Sequence, residues 1–279
     1  MTLQAFAWRA FGLVLALAAA PVGGGAQEVA AATPRAFSLP PAPPMLSPDC
    51  RSKRVPGEAF PRPLRALRRA VRARREVKVL AIGSSSTVGV GASSPAATYV
   101  ARLETDLEGS FKGFDFLVVG RGLSGEEAQG AADRMKREVA QAQPDLVVWQ
   151  VGTNDAIRHV GLDRFRECLR TTLAWLKEQR IDVVLVDPQY GDALAKDDYY
   201  ERVVAAIAEV ARESRVLLVD RFESMRELAR QHGDRFYLAA DNLHLNDMGH
   251  RCMAEQLTRS IVAGLLAADS EAEQPMFYP

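Results

Sequence analysis

Cysteine, histidine and net charge are all scarce in this chain of 279 residues. Its three cysteines, Cys50, Cys168 and Cys252, allow at most one disulfide and leave one thiol free, which excludes a disulfide-framework fold. Cys168 and Cys252 fall within helical patterns and are expected to be small buried apolar residues, and Cys50 lacks the small-residue context of a lipid-attachment site. The four histidines, His159, His232, His244 and His250, show no ligand spacing such as His-x-x-x-His, so neither a metal nor another cofactor is expected. Lys and Arg, 35 together, balance 35 Asp and Glu. The total is therefore silent on polyanionic partners, and no nucleic-acid partner is expected. Long apolar runs are missing too. The early run Ala10–Ala20 is far shorter than the roughly 20 residues a spanning helix needs. Lying behind Arg9 and followed by Gly23, Gly24, Gly25 and Ala26, it reads as the core of an export signal over residues 1–26. That places the protein in the periplasm or outside the cell, with an uncleaved membrane anchor as the alternative.

What is present is unevenly spread. Residues 51–78 hold 11 basic and 2 acidic side chains. Such a segment either contacts an anionic envelope surface or folds back on a more acidic domain. Around it, Pro34, Pro40, Pro41, Pro43, Pro44 and Pro48 stiffen the backbone and break any regular ladder. Residues 27–76 are therefore read as a Pro-rich tether with a basic helical segment. That helix runs over about 63–76, with Leu64, Leu67 and Val71 on one face. A catalytic domain is expected over 77–268, and a flexible tail over 269–279.

From Val77 onward, short apolar runs alternate with longer helical patterns. Strands are expected at Val77–Ile82, Phe114–Val119, Leu146–Val151, Ile181–Val186 and Val216–Val219. Helices are expected at about 96–109, 126–142, 161–179, 196–213 and 247–267. The third strand is almost continuously apolar, which suits a central parallel strand covered on both faces. Alternation of this kind predicts an α/β fold with an open parallel sheet. The loops leaving the carboxyl ends of its strands then converge on one edge. Those loops carry Ser84-Ser85-Ser86, Gly120-Arg121-Gly122, Gly152-Thr153-Asn154-Asp155 and Pro188-Gln189-Tyr190.

With Asp241-Asn242-Leu243-His244 near the end of the chain, these blocks resemble the SGNH hydrolases, the GDSL-type esterase and lipase family. The resemblance covers about residues 77–267, with the blocks in the family's order. It implies a three-layer α/β/α sandwich around a central, mostly parallel five-stranded sheet of flavodoxin-like type. It further implies Ser85 as nucleophile, His244 as base and Asp241 as its partner. The oxyanion donors would be the backbone N–H groups of Ser85 and Gly122 and the side-chain amide of Asn154. The sequence departs from the family pattern at Ser84, where Asp is usual, at Gly120, where Asn is usual, and at Leu245, where Pro is common. None of the three supplies the nucleophile, the base or a main oxyanion donor, so altered local hydrogen bonding is expected rather than lost chemistry.

The residue types fit that chemistry in their own right. A seryl hydroxyl attacks well only when an adjacent base takes its proton, and an imidazole titrates near neutrality. Asp155 is expected to brace its loop, and His250 to be structural. Arg121 and Tyr190 are candidate substrate contacts, Tyr190 through stacking on a sugar or shaping the acyl pocket. No large apolar insertion that would make a lipase lid separates the blocks. The expected function is therefore a serine esterase of short-chain acyl esters, chiefly O-acetyl, on envelope or extracellular carbohydrate. A glycan O-acyltransferase with the same triad is the alternative, and a non-catalytic glycan-binding protein stands behind both.

Overall fold

The structure is a computed structural model that describes residues 39–52, 62–73 and 76–273, all within one compact unit. The expected export signal, most of the Pro-rich tether and residues 274–279 lie outside the described residues. In chain order the main elements are α1 (Arg65–Ala73), β1 (Glu76–Gly83), α2 (Ser85–Val88), α3 (Tyr99–Ser110), β2 (Asp115–Gly122), α4 (Ala128–Ala142) and β3 (Leu146–Gln150). They continue through α5 (Thr153–Ile157), α6 (Leu162–Glu178), β4 (Asp182–Val186), α7 (Asp198–Ser214), β5 (Leu217–Val219), α8 (Arg221–His232) and α9 (Asp247–Glu273).

The five strands form one sheet in the order β2-β1-β3-β4-β5, and every pairing is parallel. Alternation along each strand divides the core in two. Val77, Val79 and Ala81 join α1, α3 and α9 on one face, with Leu67, Leu103 and Leu257 among the buried residues. Leu80 and Ile82 join α4, α6 and α7 on the other, with Met135, Leu169 and Ile207. All five residues of β3 are buried, as a strand covered on both sides requires. The result is the expected three-layer α/β/α sandwich of flavodoxin-like order. The direction in which strands are added to the sheet reverses between β1 and β3, and ligand sites form beyond the carboxyl ends of strands at such a switch point.

The basic helix folds back on this domain. Leu64, Leu67 and Val71 are buried, and the Asp182 carboxylate accepts the Ala66 and Leu67 N–H groups at 2.7 and 2.9 Å. That contact satisfies two orphan donors at the start of α1. Ahead of it, residues 39–52 run as a strap along α9. The Pro44 carbonyl accepts from Arg259 at 2.7 Å, the Ser47 N–H donates to Glu255 at 2.8 Å, and Tyr237 Oη donates to the Asp49 carbonyl at 2.8 Å.

The strap corrects the expectation for Cys252. It is not simply a small apolar filler but forms a disulfide with Cys50 across 202 residues of sequence. A 3-10 turn over Pro48–Cys50 at the end of the strap presents Cys50 to Cys252. Cys168 is the free cysteine.

Two further differences concern helices. The segment forming α8 offers only Phe222, Met225 and Leu228 as an apolar stripe, and the sequence reading left it out. Its start is nonetheless marked, because the Asp220 side chain accepts the Glu223 N–H at 3.3 Å as an N-cap. Helix α9 runs six residues past the expected end at 267, since no Gly or Pro intervenes before Pro275. Among the described residues no helix is long and apolar enough to cross a membrane.

Candidate active site

The turn after β1 exposes one serine of three. Ser84 and Ser86 are 5% and 2% exposed, whereas Ser85 is only partly covered. Ser85 opens α2, and Gly89 closes that single turn with φ at 95°, a left-handed position that glycine takes without strain. Ser84 is fixed below it, its N–H and its hydroxyl both donating to Gln150 Oε1 at 3.0 Å. A neutral, buried donor pair replaces a carboxylate and ties the turn to β3.

Asp241 and His244 meet within their own loop. His244 Nδ1 lies 2.6 Å from Asp241 Oδ2, while Asp241 Oδ1 accepts the N–H groups of Leu243 and His244 at 3.0 Å each. Chiefly through the His244 side-chain hydrogen bond, the Asp241 carboxyl is held down at about 2. With Nδ1 committed, Nε2 is the nitrogen left for proton transfer. The loop is pinned by Asn246, whose amide donates to the carbonyls of Arg235, Phe236 and Leu238 at 3.1–3.2 Å. Asn246 Oδ1 accepts the Met248 and Gly249 N–H groups and so caps α9. Asn246 was missed, although Asn-Asp ahead of a helical pattern is a recognisable N-cap.

Backbone packing joins the two loops. A Cβ on Gly91 would fall 2.2 Å from the Leu245 carbonyl oxygen and 3.2 Å from His244 Cβ, and Gly91 has φ at 92°. Only glycine lets the segment after Ser85 pass so close to the histidine. Among the described residues no hydrogen bond joins the His244 ring to Ser85.

Gly122 and Asn154 flank the same turn. A Cβ on Gly122 would meet the Val88 nitrogen at 2.3 Å, so glycine is required where β2 ends against α2. Asn154 Nδ2 donates to the Glu126 carbonyl at 2.8 Å; this uses one amide hydrogen and leaves the second. The Glu126 carboxylate is held by buried Arg134 at 2.6–2.7 Å, and Arg134 also donates to the Arg121 carbonyl at 2.9 Å. Asp155 does brace its loop, both of its oxygens accepting the Ala128 N–H at 3.1 Å at the start of α4. Burial pushes its carboxyl up to about 6.

The two candidate substrate contacts are already engaged. Arg121 pairs with Glu138 on α4 at 3.1 Å. Tyr190 donates from its hydroxyl to Asp192 at 2.6 Å and sets its ring edge-on to Phe222, centroids 5.4 Å apart. Among the described residues no group of His, Cys, Asp and Glu side chains is arranged to hold a metal ion.

His250 is structural. It is fully buried, its Nδ1 accepts the Tyr99 N–H at 3.2 Å, and its Nε2 faces the Val90 carbonyl at 3.4 Å. One ring proton, on Nε2, satisfies both contacts, so the ring is neutral. Burial lowers its pKa to about 4; Arg221 and Arg102 oppose protonation, while the Val90 bond and Asp247 favour it. In the unfolded chain the group titrates near 6.5. Between about 6.5 and 4 the unfolded state therefore binds more protons, and this group's contribution to stability is lost as pH falls through that window. His250→Gln, which retains an acceptor for Tyr99 without titrating, is expected to flatten the fall. Urea midpoints at pH 7 and pH 4.5 test this, and parallel declines in both proteins would refute it.

Comparison with known proteins corrects one expectation. A family model described as the Non-GDSL lipase-like family matches residues 53–267. The GDSL-type assignment is thereby overturned, and Ser84 in place of the name-giving aspartate is its physical counterpart. An acetylxylan esterase of Geobacillus stearothermophilus is 29% identical over 198 residues, 64% of this chain and 84% of that protein. Esterase TesA of Pseudomonas aeruginosa is 26% identical over 134 residues, 47% of this chain and 64% of that protein. Among solved structures, a mutant of the Geobacillus acetyl-xylooligosaccharide esterase Axe2 superposes with a TM-score of 0.58 at 25% identity, covering 66% of this chain and 94% of that one. A lipase/acylhydrolase of Enterococcus faecalis gives 0.58 at 25% identity, covering 67% and 95%. Three Axe2 structures are of catalytic mutants in which a serine, an aspartate or the histidine three positions after that aspartate is changed to alanine.

Proposed function

The chain belongs to the Non-GDSL lipase-like family, and from that premise we propose that it hydrolyses O-acetyl and other short-chain esters of carbohydrate through Ser85, His244 and Asp241. The observation that carries the reading is the paired Asp241–His244 loop packed, through Gly91, against the turn that exposes Ser85. The three-residue step from Asp241 to His244 matches the catalytic pair of Axe2, and the acetylxylan esterase supports an acetylated glycan as substrate.

In the proposed mechanism Ser85 Oγ attacks the ester carbonyl as His244 Nε2 takes its proton. Asp241 holds the ring and stabilises the imidazolium that forms. The oxyanion receives the N–H groups of Ser85 and Gly122 and the remaining amide hydrogen of Asn154. Losing one such donor costs about 2.7–4 kcal/mol of transition-state stabilisation. Collapse of the intermediate expels the alcohol with the proton from His244. Water then attacks the acyl-enzyme by the same proton path, releasing the acid and free Ser85.

The Cys50–Cys252 bridge supports export by residues 1–26 to an oxidising compartment, the periplasm or the exterior. Exposed Arg65, Arg69 and Arg72 on α1 offer an anionic envelope polymer a contact away from the carboxyl edge of the sheet. The expected result is acetate release from p-nitrophenyl acetate and from acetylated xylo-oligosaccharide, with a serine-directed phosphonate adding covalently to Ser85. Folded protein that takes up no phosphonate, beside a reactive control enzyme, would sink the reading.

A further inference from the structure

The loop after β4 holds a buried amide that the proposed chemistry does not use. Gln189 is 2% exposed. Its Oε1 accepts from Thr153 Oγ1 at 2.9 Å and from Arg221 Nη2 at 3.0 Å, while its Nε2 donates to the Leu243 carbonyl at 3.1 Å. Thr153 precedes Asn154, and Leu243 lies between Asp241 and His244. One side chain therefore spans the loop of the oxyanion amide and the loop of the base.

Arg221 explains why the amide points this way. It is 1% exposed, and the buried Asp187 carboxylate beside it offsets its charge without a direct ion pair. Its other contacts are the Asp187 carbonyl at 2.9 Å and Met253 Sδ at 3.5 Å. A buried guanidinium needs oxygen acceptors, so it holds Oε1 of Gln189 toward itself and thereby fixes Nε2 toward Leu243. Tyr200 Oη holds the same residue from its backbone, donating to the Gln189 carbonyl at 2.8 Å.

We propose that Gln189, oriented by Arg221, is a positioning residue that sets the base loop against the oxyanion loop. The proposal rests on the triad reading above. Gln189→Glu isolates the link to Leu243. The carboxylate retains the acceptor for Thr153 and Arg221 and gains an ion pair with Arg221, which keeps it ionised. It loses the donor to Leu243 and sets two acceptors face to face.

The test is steady-state kinetics on p-nitrophenyl acetate, with thermal melts and the proton NMR signal of the His244–Asp241 hydrogen bond. The expected result is a folded Gln189→Glu protein whose kcat falls about ten-fold at little changed KM and whose ring-proton resonance shifts. Wild-type kcat, or a fall in kcat with an unmoved resonance, overturns the proposal. If the single variant does not fold, Gln189→Leu combined with Arg221→Met removes the amide and the guanidinium together, at the cost of the Thr153 acceptor and of the cation beside Asp187, and is read by the same kcat and His244–Asp241 proton signal. Low kcat in that protein supports the proposal and wild-type kcat overturns it. His244→Ala in the same assay keeps the two readings apart, because an active His244→Ala protein refutes the triad and not merely its positioning.

Discussion

On p-nitrophenyl acetate, His244→Ala is expected to lose about 10³-fold or more in kcat, whereas His250→Ala stays within several-fold of wild type per folded molecule. On the proposed triad, the first substitution removes both the acceptor of the Ser85 proton and the donor that returns it to the leaving group. The second removes a neutral buried ring whose partners are the backbone of Tyr99 and Val90. Its cost appears in stability instead, about 1–3 kcal/mol for the Tyr99 N–H left without an acceptor. The comparison is decisive because both histidines lie in one short stretch of chain and both contact the segment that follows Ser85. Equal, small losses on confirmed folded protein would overturn the assignment of the base.

The second large effect is on stability. Replacing Cys50 and Cys252 together by serine removes the covalent tie between the strap and α9, leaving the hydrogen bonds at Pro44 and Ser47. The chain-entropy account assigns about 5 kcal/mol to a bridge closing a loop of this span. In a domain of this size that corresponds to a fall in Tm of about 10–20 °C. The same fall is expected when the wild-type protein is melted in excess reductant, while the double-serine variant should not respond to reductant at all. Identical melting of the wild-type protein with and without reductant would show that the bridge contributes nothing.

The sheet was largely legible in the sequence because a buried parallel strand reads as an apolar run, and a run such as Leu146–Val151 has few other uses. The main amphipathic helices were legible for the same reason. What escaped is instructive. Helix α8 escaped because its stripe is thin and its remaining surface is charged, so only the Asp220 cap marked it. The Cys50–Cys252 pairing escaped because no periodicity connects residues so far apart in sequence. At the site, the motif residues stood out, since chemistry restricts their type and spacing. Their supports did not. Gln189, Arg221 and Arg134 are polar residues whose importance comes from burial, and burial of a lone polar residue leaves no pattern along the chain. The GDSL label failed at Ser84, where a hydroxyl bonded to Gln150 takes the place of the usual carboxylate.

The close passage of Gly91 beneath Leu245 bears on how this site can change over time. The spacing between the proposed nucleophile and base is set there by main chain against main chain. Exchanges among the side chains that face the substrate therefore leave the proton's path untouched, and specificity can drift while the reaction stays the same. The converse is a point of rigidity at the glycine itself. Any residue with a Cβ at position 91 must push the two loops apart, so variation in a collection of functional descendants should be broad around the cleft and nearly nil at this glycine.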